Sequence, residues 1–173
     1  MNYLYHRVPR NLKGNYLMPL NELKRVYPEI YREHVKKYAG REELLKFKIP
    51  IWSCLWNDVL HMAAVPPKKL DKAFKEAEAD LKWRRWFKIS PKLLNLSNTI
   101  VYLYKKRPFN ADSSEFVPFR INDLKKYNSL GQRTRDYFRE ETLHGRSPLI
   151  FHLVPHILYK GKLKLSDLEV TEI

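Results

Sequence analysis

Apolar and polar positions follow one another in short segments that predict both strands and helices in the first half of the chain. Residues 4–8 are apolar and aromatic and predict a first strand. Residues 20–26 have a helical pattern, and Pro28 then stands where proline commonly begins a helix. Apolar side chains recur at helical spacing from Pro28 up to Gly40, so we expect this second helix to end at the glycine.

The middle of the chain predicts two strands and a third helix. Residues 49–63 are rich in β-branched and aromatic side chains and break at Asn57-Asp58, which indicates two strands around a turn. The pair Pro66-Pro67 begins a helical pattern whose apolar face carries Leu70, Phe74, Ala77 and Leu81.

The second half continues this alternation of strands and helices. Strands are expected over 83–89 and 99–105, at 115–119 as an edge strand containing Pro118, and through most of 147–170, with a turn at Gly161. Helices are expected over 121–127 and 132–144. No regular βαβ period is present, so we predict a single α+β domain over residues 1–173, with a mixed or mostly antiparallel sheet and several flanking helices.

Composition narrows the class of protein. The hydrophobic share of 44% and aromatic share of 13% are typical of a folded globular chain. The single cysteine, Cys54, excludes an internal disulfide and a cysteine-based zinc cluster. The N-terminal residues lack the pattern of a signal peptide, and no apolar run is long enough for a membrane helix. We therefore expect a cytoplasmic protein with no membrane partner.

The formal net charge of +14 is spread over residues 1–150, while the last 23 residues are balanced. A folded surface that carries this excess attracts polyanions, of which nucleic acid is the first candidate. The alternative is a lysine-rich surface that only keeps the protein in solution.

Basic and aromatic residues interleave in LKWRRWFKIS, where indole rings could stack on bases while cations contact phosphates. Two further arginines share one face of the predicted helix 132–144. The candidate nucleic-acid contacts are Lys82, Trp83, Arg84, Arg85, Trp86, Arg135 and Arg139. The alternative for both segments is that their aromatic rings face the core and their charges are solvated.

Histidines and buried polar residues are the other candidates for chemistry. Asn57, Asp58 and His61 interrupt the most apolar segment, so they either form a structural network or line a cleft. His152 and His156 flank Pro155, which disfavours a helix, and on an extended chain their Cα atoms would be ~13 Å apart. We therefore expect no metal site there.

A histidine acid–base pair suggests a different activity, a metal-independent ribonuclease. Its candidate residues are His144, His152 and His156, with Lys160 stabilising the charge on the phosphorus centre. The chain contains neither of the glycine-rich motifs that bind phosphate through the backbone, so any phosphate contacts must come from side chains.

The stretch LYHRVPRNLKG resembles the first strand of ADP-ribosyltransferases and is closest to the DNA-modifying ADP-ribosyltransferase toxins. In that family a strand with an apolar-Tyr-His pattern leads into a loop, and Asn-Leu begins the next helix. Tyr5-His6 and Asn11-Leu12 match this pattern. The resemblance implies that NAD is the cofactor and that His6 binds its adenosine-side ribose.

The resemblance also implies further roles. Residues 59–70 would shape the nicotinamide pocket, with His6 and His61 as the catalytic residues. The cofactor contacts would be Tyr5, His6, Arg7, Arg10, Asn11, Lys13, Tyr16 and Asn57, with a tyrosine stacking on NAD and the cations contacting its phosphates. The family's third motif carries a glutamate that binds the nicotinamide ribose, and the matching segment 148–154 contains no acid.

We therefore expect an NAD-dependent ADP-ribosyltransferase-like protein that acts on nucleic acid or a nucleotide, as such toxins do, and that a protein antitoxin would restrain. The first alternative is a non-catalytic basic nucleic-acid-binding module. The second is the metal-independent ribonuclease.

Overall fold

The computed structural model describes residues 2–173 of the chain. Within these residues four α-helices alternate with nine short strands, and several 3-10 turns join them. The helices are α1 (Leu20–Val26), α2 (Pro28–Val35), α3 (Pro67–Glu76) and α4 (Gln132–Leu143). The strands are β1 (Leu4–Arg7), β2 (Tyr16–Leu17), β3 (Leu60–Met62), β4 (Arg85–Ile89), β5 (Thr99–Tyr102), β6 (Phe116–Pro118), β7 (His156–Tyr159), β8 (Leu163–Lys164) and β9 (Glu169–Glu172).

The strands form three antiparallel sheets. One has the order β1-β4-β9, the second has the order β3-β7-β5-β6, and β2 pairs with β8 in the third. The protein is therefore an α+β fold with antiparallel sheets, which confirms the predicted class. The strand that contains Pro118 lies at a sheet edge, as expected for a residue without a backbone N–H.

The two larger sheets meet at one point. Tyr5 N–H donates to Ala63 O at 2.8 Å and Ala63 N–H donates to Tyr5 O at 3.1 Å. This isolated bridge is the pairing between β1 and β3 in the described part of the chain. Because the strands run antiparallel, residues that follow Tyr5 and residues that precede Ala63 lie on the same side of the bridge. His6, Arg7 and His61 therefore lie on the same side of this bridge.

Apolar packing fixes both sheets. A first core cluster lies between the sheets and includes Leu4, Met62 and Ile157. A second holds α3 and α4 against β4, with Trp86 at its centre. A third connects α1, the turn at Trp56 and strands β5 and β7. Burial of these large side chains supplies most of the favourable free energy of folding.

The helices and most strands lie where the sequence predicts them, with two corrections. Residues 49–55 contain no strand, and Leu55 forms an isolated bridge with Lys48. Residues 147–155 form turns instead of a strand, because Pro155 has no N–H and Leu153 adopts a positive φ of 55°. Across residues 2–173 no helix is long and apolar enough to cross a bilayer.

Candidate functional site

Histidines on β3 and β7 pack together, and a third histidine on β1 lies on the same side of the bridge between the two sheets. His6 lies on β1, His61 on β3 and His156 at the start of β7. Strand β7 pairs with β3, which brings the rings of His61 and His156 to a centroid distance of 6.0 Å. The indole of Trp56 packs at 4.4 Å from His61 and 6.2 Å from His156. Sequence positions that are far apart therefore form one cluster.

The hydrogen bonds of these histidines fix their neutral tautomers. His6 Nδ1–H donates to Arg7 O at 2.6 Å, and His156 Nδ1–H donates to Val154 O at 2.6 Å. His61 donates instead from Nε2 to Trp56 O at 2.7 Å. Because a carbonyl can only accept, the other nitrogen of each neutral ring keeps its lone pair for a ligand. None of these three nitrogens has a side-chain or backbone partner within residues 2–173.

Desolvation keeps the three rings uncharged at neutral pH. Burial lowers the pKa of His6 to about 4 and that of His156 to about 4. Burial and the neighbouring His156 hold the pKa of His61 well below its ordinary value. The charges of Arg7 and Lys37 add to the lowering at His6, which places these cations beside the cluster.

The segment after α2 forms one wall of the cleft. Its 3-10 turn, Lys36–Tyr38, carries Lys37, and His34 lies one turn earlier in the chain. The charge of Lys37 adds to the lowering of the pKa of His6, His34 and His61. Arg41 Nη2 donates to the backbone carbonyl of Lys37 at 2.7 Å, which holds the Arg41 guanidinium against this turn. The side chains of His6, Arg7, His34, Lys37, Arg41, His61 and His156 are named the cationic cleft below.

The buried pair Tyr38 and Asn57 supports this wall from below. Tyr38 O–H donates to Asn57 Oδ1 at 2.6 Å, while Asn57 Nδ2 is buried and has no partner in residues 2–173. Both carboxylate oxygens of the neighbouring Asp58 accept hydrogen bonds within the fold, one from Asn21 Nδ2 and one from Leu55 N–H, each at 2.7 Å. The polar residues in this apolar segment therefore serve as a structural network and also as the floor of the cleft.

The cations of the cleft have no counter-charge. Among residues 2–173 no carboxylate oxygen lies within 4.0 Å of the charged nitrogens of Arg7, Lys37 or Arg41. Desolvation, together with the charges of Arg7 and Arg41, lowers the pKa of Lys37 to about 8. Desolvation also lowers the pKa of Arg7. These cations therefore crowd together with no acid to neutralise them.

An aromatic wall faces these cations. The ring of Tyr104 lies 5.4 Å from His156, and Tyr137 stacks on His152 at 3.8 Å. Burial raises the pKa of both tyrosines, while the charges of Arg107 and Arg41 oppose the increase. The guanidinium of Arg41 lies 6.0 Å from the centroid of the Tyr38 ring. Tyr104 has a positive φ of 55°, a strained conformation for an aromatic residue and one that is concentrated at functional sites.

The residues assigned to NAD from the resemblance divide into two groups. His6, Arg7, Asn57 and His61 come together in or below the cleft. Tyr5, on β1, packs against the second core cluster, which contains side chains of α3 and α4. The remaining residues have other surroundings: Arg10 shares the Trp83 ring with Arg7, Asn11 lies on the exposed loop after β1, Lys13 pairs with Glu29, and Tyr16 lies beside Lys162.

The candidate nucleic-acid contacts are mostly engaged within the protein. Trp86 is completely buried, so the interpretation of this indole as a base-stacking group is corrected. Arg84 pairs with Asp71 and Asp80, and Arg85 pairs with Glu172. Arg135 pairs with Glu76, and Arg139 with Asp136. Lys82 is exposed, and Trp83 is half-buried with the guanidiniums of Arg7 and Arg10 at 4.7 and 5.0 Å from its ring.

The histidine pair suggested for a ribonuclease is also rearranged. His152 stacks on Tyr137, His144 is exposed at the end of α4, and Lys160 lies over Trp52 at 4.9 Å. The partner of His156 is His61, which the sequence places in another segment. The contributions of Lys37, Arg41 and Tyr104 were missed because nothing local distinguishes them from other surface residues.

Neither the hollows in the surface nor the metal-ligand side chains point to another centre. One hollow in the surface has a volume of about 360 Å³, is lined by residues that include Ser90, Lys92 and Lys125, and contains none of the cleft side chains. In the described part of the chain no group of three or more His, Cys, Asp or Glu side chains is placed to hold a metal ion.

Similarity to other proteins does not assign the site. No protein-family model, curated protein or solved structure matches this chain. The function of the cationic cleft therefore has to follow from its own geometry and chemistry.

Proposed function

We propose that the cationic cleft binds NAD and that the protein transfers the ADP-ribosyl group of NAD to a nucleic acid or nucleotide. The observation that carries this proposal is that His6, Arg7 and His61 lie on one side of the bridge between the two sheets, where the charge of Lys37 also lowers the pKa of both histidines. The N-terminal resemblance to ADP-ribosyltransferases independently assigned His6 and Arg7 to the same ligand.

The charges of the cleft fit a diphosphate. Arg7, Lys37 and Arg41 present three cations with no acid beside them, and a diphosphate carries two negative charges at neutral pH. Hydrogen bonds to charged groups contribute about 1.5–3 kcal/mol each, so two or three such contacts give useful affinity even after the cost of ordering the ligand. The exchange of crowded like charges for ion pairs adds to this gain.

The neutral groups of the cleft fit the ribose and ring portions of NAD. The free nitrogens of His6 and His61 can each accept a hydrogen bond from a ribose hydroxyl. The buried Asn57 Nδ2 has an unused N–H close to this floor. Tyr104 supplies a half-buried aromatic face beside the histidines, and planar rings stack on such faces.

The chain has groups for positioning and for proton transfer. NAD supplies the ADP-ribosyl group, and its bond to nicotinamide breaks with the bonding electron pair leaving on nicotinamide. Arg7 and Arg41 hold the phosphates, which also offsets the positive field of the cleft at the reacting sugar. His61 or His156, neutral and with a free lone pair, accepts the proton that the attacking acceptor atom loses.

Incubation with labelled NAD and DNA, RNA or protein tests this function. We expect transfer of label to a nucleic acid or nucleotide and a rise in melting temperature when NAD is added. Both should be lost in His6→Gln and His61→Gln and retained in His144→Gln, because His144 is exposed outside the cleft. Absence of both transfer and the NAD-dependent rise in the native protein would refute the proposal.

A metal-independent ribonuclease is the second candidate, favoured by the 6.0 Å separation of the His61 and His156 rings. Such an enzyme needs one neutral imidazole as base and one protonated imidazole as acid. Burial lowers the pKa of both rings, so both are unprotonated at neutral pH and neither can act as the acid. Cleavage of RNA in the presence of EDTA, with a DNA of the same sequence left intact, would favour this candidate over ADP-ribosyl transfer.

A further inference from the structure

Two cations share the ring of one tryptophan at the end of β1. The guanidinium carbons of Arg7 and Arg10 lie 4.7 and 5.0 Å from the ring centroid of Trp83. In residues 2–173 no carboxylate oxygen lies within 4.0 Å of either guanidinium. The two arginines that follow the tryptophan differ in this respect, because Arg84 pairs with two aspartates and Arg85 pairs with a glutamate.

The frame around this indole is fixed by the sheet. Arg7 is the last residue of β1 and lies opposite Trp86 of β4. Trp86 Nε1–H donates to Trp83 O at 3.2 Å, which ties the tryptophan to the same strand. Trp83 is half-buried, and Arg10 is exposed on the loop that follows β1. The indole therefore holds one guanidinium from the sheet and one from the loop.

We propose that Arg7 and Arg10, positioned by Trp83, bind the phosphate backbone of the polynucleotide that accepts the ADP-ribosyl group. These three residues are named the strand site below. The identity of the strand as the acceptor rests on the proposed function, whereas binding of the strand needs no NAD. Arg7 belongs to the cationic cleft as well as to the strand site, so a polynucleotide bound here lies beside the cleft.

The chemistry of the strand site suits phosphates. A guanidinium that lies over an aromatic ring keeps its N–H donors in its own plane, where they can bind phosphate oxygens in pairs. The contact with the indole also restrains each side chain, so less conformational freedom is lost when a phosphate binds. Both cations lie within about 5 Å of one ring, so they can contact one phosphate or neighbouring phosphates of the same strand.

The same arrangement argues against recognition of particular bases. The ring of Trp83 already carries two cations, so it is not a free platform on which a base can stack. Contacts to phosphates position a nucleic acid without reading its sequence. We therefore expect strands of different base sequence to bind with similar affinity.

The distribution of unpaired charge favours a polymer over a small anion. Arg10 and Arg7 at the indole, and Lys37 and Arg41 in the cleft, have no carboxylate within 4.0 Å in the described part of the chain. A polynucleotide carries charge along its whole length and can contact both groups of cations, whereas a single phosphate occupies only one of them. The two groups share Arg7.

Fluorescence anisotropy of the full chain with labelled DNA and RNA strands, in the absence of NAD, tests the proposal. Arg10→Gln should weaken binding by about fivefold or more and reduce the slope of log affinity against log salt by about 0.7, because one phosphate contact is lost. Arg84→Gln is the matched control. It removes the same charge from an existing ion pair and should change the affinity by less than about twofold.

Variants of the indole separate positioning from packing. Trp83→Leu keeps an apolar side chain but removes the aromatic ring, and it should weaken strand binding several-fold in protein shown by circular dichroism to be folded. Most of the effect of Arg10→Gln should then disappear in the Trp83→Leu background, because the two residues act together. Trp83→Phe keeps an aromatic face and should retain most of the affinity.

Equal losses in Arg10→Gln and Arg84→Gln would overturn the proposal, because they would show attraction by net charge alone. Binding of an acidic peptide with the same dependence on Arg10 and Trp83 would also overturn it. Strand binding that depends on Trp83 in a protein that neither binds nor consumes NAD would support the strand site and refute the proposed function. Transfer from NAD to a nucleic acid, with strand affinity unchanged in Arg10→Gln and Trp83→Leu, would do the opposite.

Discussion

Two positively charged regions of this protein differ in one respect, the presence of carboxylates. On the surface formed by α3, β4 and α4, named the paired face, the arginines meet acids: Arg84 with Asp71 and Asp80, Arg85 with Glu172, and Arg135 with Glu76. In the cationic cleft Arg7, Lys37 and Arg41 have no such partner among residues 2–173. Both regions contribute to the same net charge of +14.

The difference shows that pairing is more informative than total charge. Exposed ion pairs contribute about 0–1 kcal/mol each, so the paired face gains little stability and presents little free charge to a polyanion. Unpaired cations that are crowded and desolvated reduce stability instead. Such a cost is typical of binding sites, where the ligand supplies the missing charge.

The largest expected effect lies below the paired face. Trp86 is completely buried in the second core cluster, whereas Trp83 is half-buried. Trp86→Ala should lower the free energy of unfolding by about 3–5 kcal/mol, because it removes a large core side chain and leaves a cavity. Trp83→Ala should cost less than half as much. Urea denaturation measures both, and equal losses would contradict the different burial of the two indoles.

The dependence of stability on pH should come from the cleft. The folded-state pKa values of His6 and His156 are about 4, below the ordinary value of 6.5, so the unfolded chain binds more protons between these values. The free energy of unfolding should therefore rise from about pH 4 to 6.5 and be lost as the pH falls through this range.

The slope of the unfolding free energy against pH gives the size of this effect. Each histidine contributes at most about a tenfold change in the unfolding constant per pH unit. His6→Gln and His156→Gln should each flatten the slope. Thermal melts between pH 4 and 7 test this, and unchanged slopes in both variants would contradict the account.

The affinity for NAD should distinguish the arginines of the two regions. Arg7→Gln should weaken NAD binding by about tenfold or more, because it removes one charge-assisted contact of about 1.5–3 kcal/mol. Arg85→Gln is the matched control on the neighbouring strand, and its effect should stay below about twofold because Arg85 already pairs with Glu172. Isothermal titration calorimetry measures both, and similar losses would remove the distinction between cleft and paired face.

The smallest effect concerns the two neighbouring lysines. Lys37→Gln removes a crowded, unpaired charge and should raise the free energy of unfolding at pH 7 by up to about 1 kcal/mol. Lys36→Gln removes a surface ion pair and should lower it by less than about 1 kcal/mol. Opposite signs in urea denaturation would support a functional cost at Lys37. A loss of stability in Lys37→Gln would count against it.

Much of the fold could be predicted because its signals are local. Proline begins α2 and α3, and Gly40 and Gly145, both with positive φ, follow the ends of helical segments as expected. The prediction of a strand before β7 was wrong. The apolar residues around His152 are typical of a strand, but Leu153 adopts a left-handed conformation that the local pattern does not indicate.

The site was predicted only in part, because it depends on long-range contacts. His6 and His61 were identified, yet their neighbours Lys37 and His156 come from other elements. The arginines of the paired face were predicted to contact nucleic acid for the same reason. Arg135 pairs with Glu76, which is 59 positions away in the sequence, and Lys88 pairs with Glu169, which is 81 positions away. Local sequence shows which cations are present, and only the tertiary structure shows which of them are neutralised.

The most direct test of the account is a nitrogen NMR titration of the histidine side chains with NAD. We predict that the free ring nitrogens of His6 and His61 change chemical shift together and saturate at one NAD concentration, while His144 remains unchanged. Saturable shifts confined to the cleft would support an NAD site there. Shifts that are absent, or that follow the paired face instead of the cleft histidines, would contradict it.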